Sequence, residues 1–170
     1  EALGEPRQLD AAGLRALSAL LPDGAAAIER VDDPVLVARL AVRVFRMLRF
    51  RGPQDRYRAI VHRAVAIRAG APPLLAAQIL AEWALMDSED VPTARARLEE
   101  AIALTEAAGA DAQTAMYQNY LAAIIRFVDP VEEARLLQIA LGHHRRIGTD
   151  ALLRTTLLNL SNSARFLGRY

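Results

Sequence analysis

The sequence predicts an all-α protein, an α-solenoid of antiparallel helical hairpins. Alanine and leucine dominate and only 5% of the residues are aromatic, a composition that favours helices over sheets. Apolar residues recur at three- and four-residue steps, as in Ala94, Leu98, Ala101 and Leu104, which places them on one face of a helix. Glycines, prolines and polar turns divide the chain into segments of helical length.

Start and stop signals bound each predicted helix. Asp33 is a suitable N-cap, Pro34 and Pro92 suit first helical turns, and Gly109 suits a C-terminal cap. The predicted helices span residues 11–21, 25–31, 34–51, 54–69, 73–87, 92–108, 112–128, 130–147 and 150–167. Because the loops between the long helices are short, consecutive helices are expected to run antiparallel.

Composition excludes several classes of function. A chain of 170 residues fits one ordinary domain or a short repeat array. The absence of cysteine excludes disulfides, thiolate catalysis and cysteine-based zinc sites, and it favours a cytoplasmic protein. All 21 basic residues are arginine, which, with the many alanines, is typical of a GC-rich bacterial genome.

Charge is unevenly distributed along the chain. The formal net charge is +1, yet residues 34–70 hold nine arginines and one acid, and residues 71–111 hold eight acids and two arginines. The two segments are therefore expected to face different neighbours. The most apolar stretch, 35–50, carries an arginine every three or four residues, so no membrane span is predicted.

Self-similarity at a fixed spacing indicates a repeat. LAAIIRFVD at 121–129 matches LSNSARFLG at 160–168, and the segment ending at 111 can be laid on the one ending at 150 with Gly109 on Gly148. A further match, to residues 64–72, agrees with a period of about 37–39 residues. Each unit is a helical hairpin that must stack on the next to bury its apolar face.

The second helix of this unit resembles that of tetratricopeptide repeats. In that helix a large apolar residue comes four positions after an alanine, and another alanine comes three positions later, here Ala94, Leu98 and Ala101. The segment 167–170 resembles the turn between the two helices of such a repeat. The period exceeds the usual length of roughly 34 residues, and glycine stands where a proline usually closes the repeat. Arginine-rich units of this kind are similar to the helical arms of bacterial LuxR/MalT-type transcriptional regulators and signal-transduction ATPases.

The resemblance implies a domain organisation and a context. Residues 1–33 are expected to form an N-terminal helical lead-in or cap, and residues 34–170 a tetratricopeptide-like array that stops in mid-repeat. The chain is therefore expected to be a segment of a longer, cytoplasmic bacterial protein that acts in transcriptional regulation or signal transduction.

No enzymatic signature is present: the sequence lacks a phosphate-binding loop, a dinucleotide-binding glycine motif, a nucleophile elbow and an HExxH motif. We expect no enzyme, no cofactor and no metal site. His143 and His144 are adjacent and point about 100° apart on a helix, so they are expected to form a solvated helix end. Trp83 is expected to pack between helices.

An arginine stripe suggests how a partner is recognised. Arg39, Arg43 and Arg46 are spaced i, i+4 and i+7 on one helix face. In tetratricopeptide arrays the first helix of each repeat lines a concave groove, and arginine or asparagine there would bind carboxylates of an acidic peptide or partner helix through charge-assisted bonds. This mapping assigns partner binding to Arg39, Arg46, Arg49, Asn119, Arg126, Asn162 and Arg165.

Three other functions are alternatives to peptide binding in the groove. Nucleic acid is disfavoured because aromatic residues are sparse and the net charge is near neutral. A structural arm that forms a homo-oligomer stays open. So does a small-molecule sensor with a pocket between repeats near Trp83, Tyr117 and Tyr120.

Overall fold

The regular structure of the described chain is entirely helical, which confirms the all-α prediction. The computed structural model describes residues 23, 26–51, 54–148 and 150–168, and at 46–51, 54, 150 and 151 only the backbone is described. The predicted helix at 11–21 lies outside the described residues. Residues 26–30 are helical, and the longer helices are α1 (Pro34–Arg51), α2 (Gln54–Ile67), α3 (Pro73–Met86), α4 (Val91–Ala107), α5 (Asp111–Ile125), α6 (Pro130–Ile147) and α7 (Asp150–Phe166).

Aspartate side chains begin three of these helices. Asp33 Oδ1 accepts hydrogen bonds from the backbone N–H groups of Val35 at 2.8 Å and Leu36 at 3.1 Å. Asp90 and Asp129 cap α4 and α6 by accepting from the N–H groups three residues on, at 3.3 Å and 3.0 Å. A proline lies in the first turn of each of these two helices. The starts are thus determined locally, because each carboxylate satisfies an N–H group that has no partner within the helix.

Glycine or proline residues come shortly after the ends of several helices. Gly109 and Gly148 adopt the left-handed conformation, with φ of 64° and 76°, which glycine adopts without a Cβ clash. Two helices end two or more residues earlier than predicted. A 3₁₀ turn at Arg68–Gly70 replaces the last turn predicted for α2, and α5 ends at Ile125, since residues 126–128 form a turn before Asp129-Pro130.

Helices that are consecutive in the chain pack against each other, and α1 also contacts α3. The buried side chains form two clusters, one from α3 to α6 and the other from α1 to α3 with Ile28. Trp83 packs against both. Alanines are fully buried at many helix contacts, including Ala77, Ala94 and Ala101, and these small side chains let the helices approach closely.

No helix of the described residues combines the length and the apolar character that crossing a membrane requires.

Candidate functional site

The seven residues predicted to bind a partner lie at separate places on the helices. Arg39 is exposed on α1, and Asn162 and Arg165 are exposed on α7. The side chains of Arg46 and Arg49, also on α1, lie outside the described residues. Helix α1 packs against α2 and α3, whereas α7 packs against α6. That these residues form one partner-binding surface stays a prediction.

Asn119 links two helices. Its Nδ2 donates to the backbone oxygen of Ala115 at 3.0 Å and to Thr156 Oγ1 at 3.0 Å. Thr156 lies on α7 and is fully buried. The amide of Asn119 therefore holds α5 against α7.

Arg126 makes a contact within the fold. Its Nε donates to Glu133 Oε1 at 2.8 Å across the turn between α5 and α6. The side chain of Glu133 is 0% exposed and that of Arg126 is 28% exposed. Glu133 Oε2 has no hydrogen-bond partner among the described residues, so Arg126 supplies the compensating charge that a buried carboxylate requires.

An exposed apolar surface, here called the aromatic patch, is formed by residues at the turn after α5, the start of α6 and the end of α7. It consists of Phe127, Val128, Val131 and Phe166, with relative exposures of 80%, 68%, 67% and 59%. The rings of Phe127 and Phe166 meet edge to face, with centroids 6.0 Å apart. Sequence reasoning did not predict this surface, although the repeated Arg-Phe-aliphatic triplet at 126–128 and 165–167 was its signal.

The three aromatic residues considered for a sensor pocket pack in the core or against it. Trp83 packs on both clusters, and the guanidinium carbon of Arg97 lies 3.5 Å from the centroid of its ring. Tyr117 is 1% exposed and its ring lies 6.2 Å from that of Tyr120. Burial, followed by the charges of Tyr120 and Glu82, raises the pKa of Tyr117 well above its usual range. These contacts give the aromatic residues a packing role, as predicted for Trp83.

The histidine pair is not a solvated helix end, and that prediction is wrong for His144. His144 is 0% exposed, and burial, followed by the nearby His143, lowers its pKa. His143 Nδ1 lies 3.1 Å from Asp111 Oδ1 at the start of α5. Adjacent residues point in different directions on a helix, so one ring enters the core while the other reaches a charged neighbour.

Two shallow grooves flank α4. The first, of about 260 Å³, lies between α4 and α6, and the second, of about 360 Å³, lies between α4 and the 3₁₀ turn after α2. Glu99 and Glu106 line the first groove, and Glu100 lines the second. Gln118 of α5 also lines the first groove, and its Oε1 is buried without a hydrogen-bond partner among the described residues.

Within the described part of the chain, no group of three histidine, aspartate or glutamate side chains could hold a metal ion. Comparison of the sequence with protein-family models and with curated proteins found no match in either set.

Proposed function

We propose that this chain is a non-catalytic protein-interaction segment of a larger bacterial regulatory protein, built as a tetratricopeptide-like solenoid. Its partner is a peptide or helix with an apolar face and acidic side chains. Apolar contacts supply affinity, and arginine fixes the orientation of the bound segment. The assignment to a LuxR/MalT-type regulator or a signal-transduction ATPase rests on the resemblance of residues 34–170.

Contacts between α5 and α7 support the repeat. Asn119 bonds Thr156, 37 residues later, and Phe127 contacts Phe166 at nearly the same spacing. The latter two residues are the ones that the internal sequence match superimposes. Helices related by one repeat should lie side by side in a stacked array, and they should run in the same direction.

Contacts between α5 and α6 support the hairpin. Arg126, after the end of α5, pairs with Glu133 near the start of α6. Asp111, at the start of α5, lies beside His143 near the end of α6. These pairs connect opposite ends of the two helices, as expected for an antiparallel hairpin.

The observation that carries the proposed interaction is the aromatic patch. Two phenylalanine rings exposed by more than half of their surface, with two exposed valines, form an apolar area that solvent contacts unfavourably. Arg165 is exposed and precedes Phe166 in the sequence, and it offers a cation to the same partner. An apolar centre with an arginine is the composition of surfaces that bind a partner helix.

Peptide selection tests this proposal. A displayed library of amphipathic peptides with acidic polar faces is selected on the full 170-residue chain, and the affinity of enriched peptides is measured by fluorescence anisotropy. Phe127→Ser and Arg165→Glu should each weaken binding about tenfold or more, the range of a moderate interface contact. Arg56→Glu reverses the charge of an exposed residue on α2. It is the matched charge control and should leave the affinity unchanged.

The proposal fails in either of two ways. The library yields no peptide with saturable binding, or the enriched peptides bind Phe127→Ser and Arg165→Glu as tightly as the unmodified chain. Circular dichroism verifies that the variants remain helical, which their exposed positions predict.

A further inference from the structure

The exposed face of α4 is acidic and lies between two grooves. Glu99, Glu100 and Glu106 are exposed there together with Ala103, and we call these four residues the acidic face. Arg95 neutralises one of the three acids through an ion pair with Glu99 at 2.7 Å. The small side chain of Ala103 leaves room for another side chain to approach the helix between the carboxylates.

A buried acceptor lies in the groove next to this face. Gln118 is 3% exposed and lines the groove between α4 and α6. Its Oε1 has no hydrogen-bond partner among the described residues. A buried amide oxygen without a donor is costly, so this groove favours a ligand that carries N–H groups. Apolar side chains, including Leu121, Leu136 and Ile139, also line it, which suits the aliphatic part of an arginine side chain.

The same chain carries a surface with the opposite charge. Leu36, Arg39 and Arg43 are exposed on α1 at i, i+3 and i+7, and we call them the basic face. The segment 34–70 that contains it has a formal charge of +8, and the segment 71–111 that contains the acidic face has a formal charge of −6. Complementary charges on two surfaces steer two molecules toward each other and fix their orientation.

We propose that the acidic face of one molecule binds the basic face of a second copy of this chain. An arginine of the basic face enters the groove beside α4, where its N–H groups reach Gln118 Oε1 and the carboxylate of Glu106. Leu36, 45% exposed, contacts the apolar residues at the groove. The contact uses neither Phe127 nor Phe166, so it is separate from the partner surface proposed above.

Sedimentation measurements on charge-reversed variants test the pairing. One variant carries Glu100→Arg and Glu106→Arg, and the other carries Arg39→Glu and Arg43→Glu. At about 0.01 M salt, where charges interact over about 30 Å, the unmodified chain should show a mass above the 18.6 kDa of a monomer. At about 1 M salt, where that distance falls to about 3 Å, it should be monomeric.

Each reversed variant alone should be monomeric at low salt, and an equimolar mixture of the two should associate again, because the reversed faces complement each other. Gln118→Leu, which removes the buried acceptor, should weaken the association of the unmodified chain. Arg56→Glu again serves as the charge control and should associate normally.

Any of three results would overturn this inference: a monomeric unmodified chain at low salt, reversed variants that associate as strongly as the unmodified chain, or a mixture of the two variants that stays monomeric. Phe127→Ser separates this interaction from the other surface: its self-association should be normal even if its binding to acidic peptides is lost, and association that depends on Phe127 would assign the contact to the aromatic patch instead.

Discussion

Arg126 and Glu133 form an ion pair at 2.8 Å in which the carboxylate is completely buried. Asp87, 39 residues before Arg126, pairs with Arg97 at 2.7 Å. An ion pair therefore joins the turn after α3 to α4, and another joins the turn after α5 to α6, with the charges exchanged. Arg126, just after the end of α5, is therefore a structural contact within the fold, although the sequence pattern assigned it to partner binding.

Replacing Arg126 should destabilise the protein. Arg126→Met leaves the buried carboxylate of Glu133 without its cation, and the expected loss in the free energy of unfolding is about 3 kcal/mol. Urea denaturation measures it. The double variant Arg126→Met/Glu133→Leu removes both charges and should recover most of the loss, whereas a double variant as unstable as the single one would contradict this explanation. Arg165, which is exposed, is consequently the better position for testing partner binding.

Replacing Ala101 with glutamate should unfold the protein. Ala101 is 0% exposed on the face of α4 that contacts the core, so the new side chain would be both too large and charged. We expect a loss of about 4 kcal/mol or more, at the upper end for point substitutions. The matched control, Ala103→Glu, lies on the exposed face of the same helix and should unfold close to the unmodified chain in thermal melts. Equal melting temperatures for the two variants would refute the orientation of α4.

Local signals made the helices predictable. Asp33, Asp90 and Asp129 precede prolines and accept N–H hydrogen bonds within three residues, so their role is contained in a short stretch of sequence. The buried Ala94, Leu98 and Ala101 follow from helical periodicity alone.

Contacts between helices limited what could be predicted of the surfaces. The burial of His144 depends on which side of α6 meets its neighbours, and the position of His144 beside His143 does not reveal that side. Helical periodicity does not reveal the surroundings of Arg97, whose side chain is only 14% exposed because Trp83 and Asp87 contact it from α3 and the turn that follows. Such partners are close in space and distant in sequence.

The Arg97 contact predicts different effects for two arginines of one helix. Arg97→Met removes the cation on the Trp83 ring and the ion pair with Asp87, and we expect a loss of about 1–2 kcal/mol. Arg95→Met removes only a solvent-exposed pair with Glu99 and should cost less than about 0.5 kcal/mol. Since Trp83 is the only tryptophan, its emission spectrum should change in the first variant alone. An altered spectrum in Arg95→Met, or equal losses of stability, would contradict the stacking.

Alanine substitutions at two glycines, one within α6 and one just after it, should change the free energy of unfolding in opposite directions. Gly142 is within the helix, and a Cβ there would meet only Arg146 Nη1, at 3.8 Å. Gly142→Ala should therefore stabilise by about 0.5–1 kcal/mol. Gly148 has a φ of 76°, so Gly148→Ala should destabilise by about 1–2 kcal/mol. Chemical denaturation of both variants checks the sign, and a stabilising Gly148→Ala would be incompatible with the left-handed end of α6.

Stability should fall as the pH drops below about 6.5, the usual pKa of histidine. Because burial lowers the pKa of His144 in the folded chain, the unfolded chain binds the proton first, and the free energy of unfolding then decreases by up to about 1.4 kcal/mol per pH unit until the folded-state pKa is passed. Denaturant midpoints between about pH 8 and pH 5 measure this slope. His144→Gln should flatten it relative to the unmodified chain, whereas His62→Gln, at an exposed position on α2, should preserve it. Carboxylates common to all three proteins contribute equally, so an identical slope in His144→Gln would show that His144 does not carry the effect.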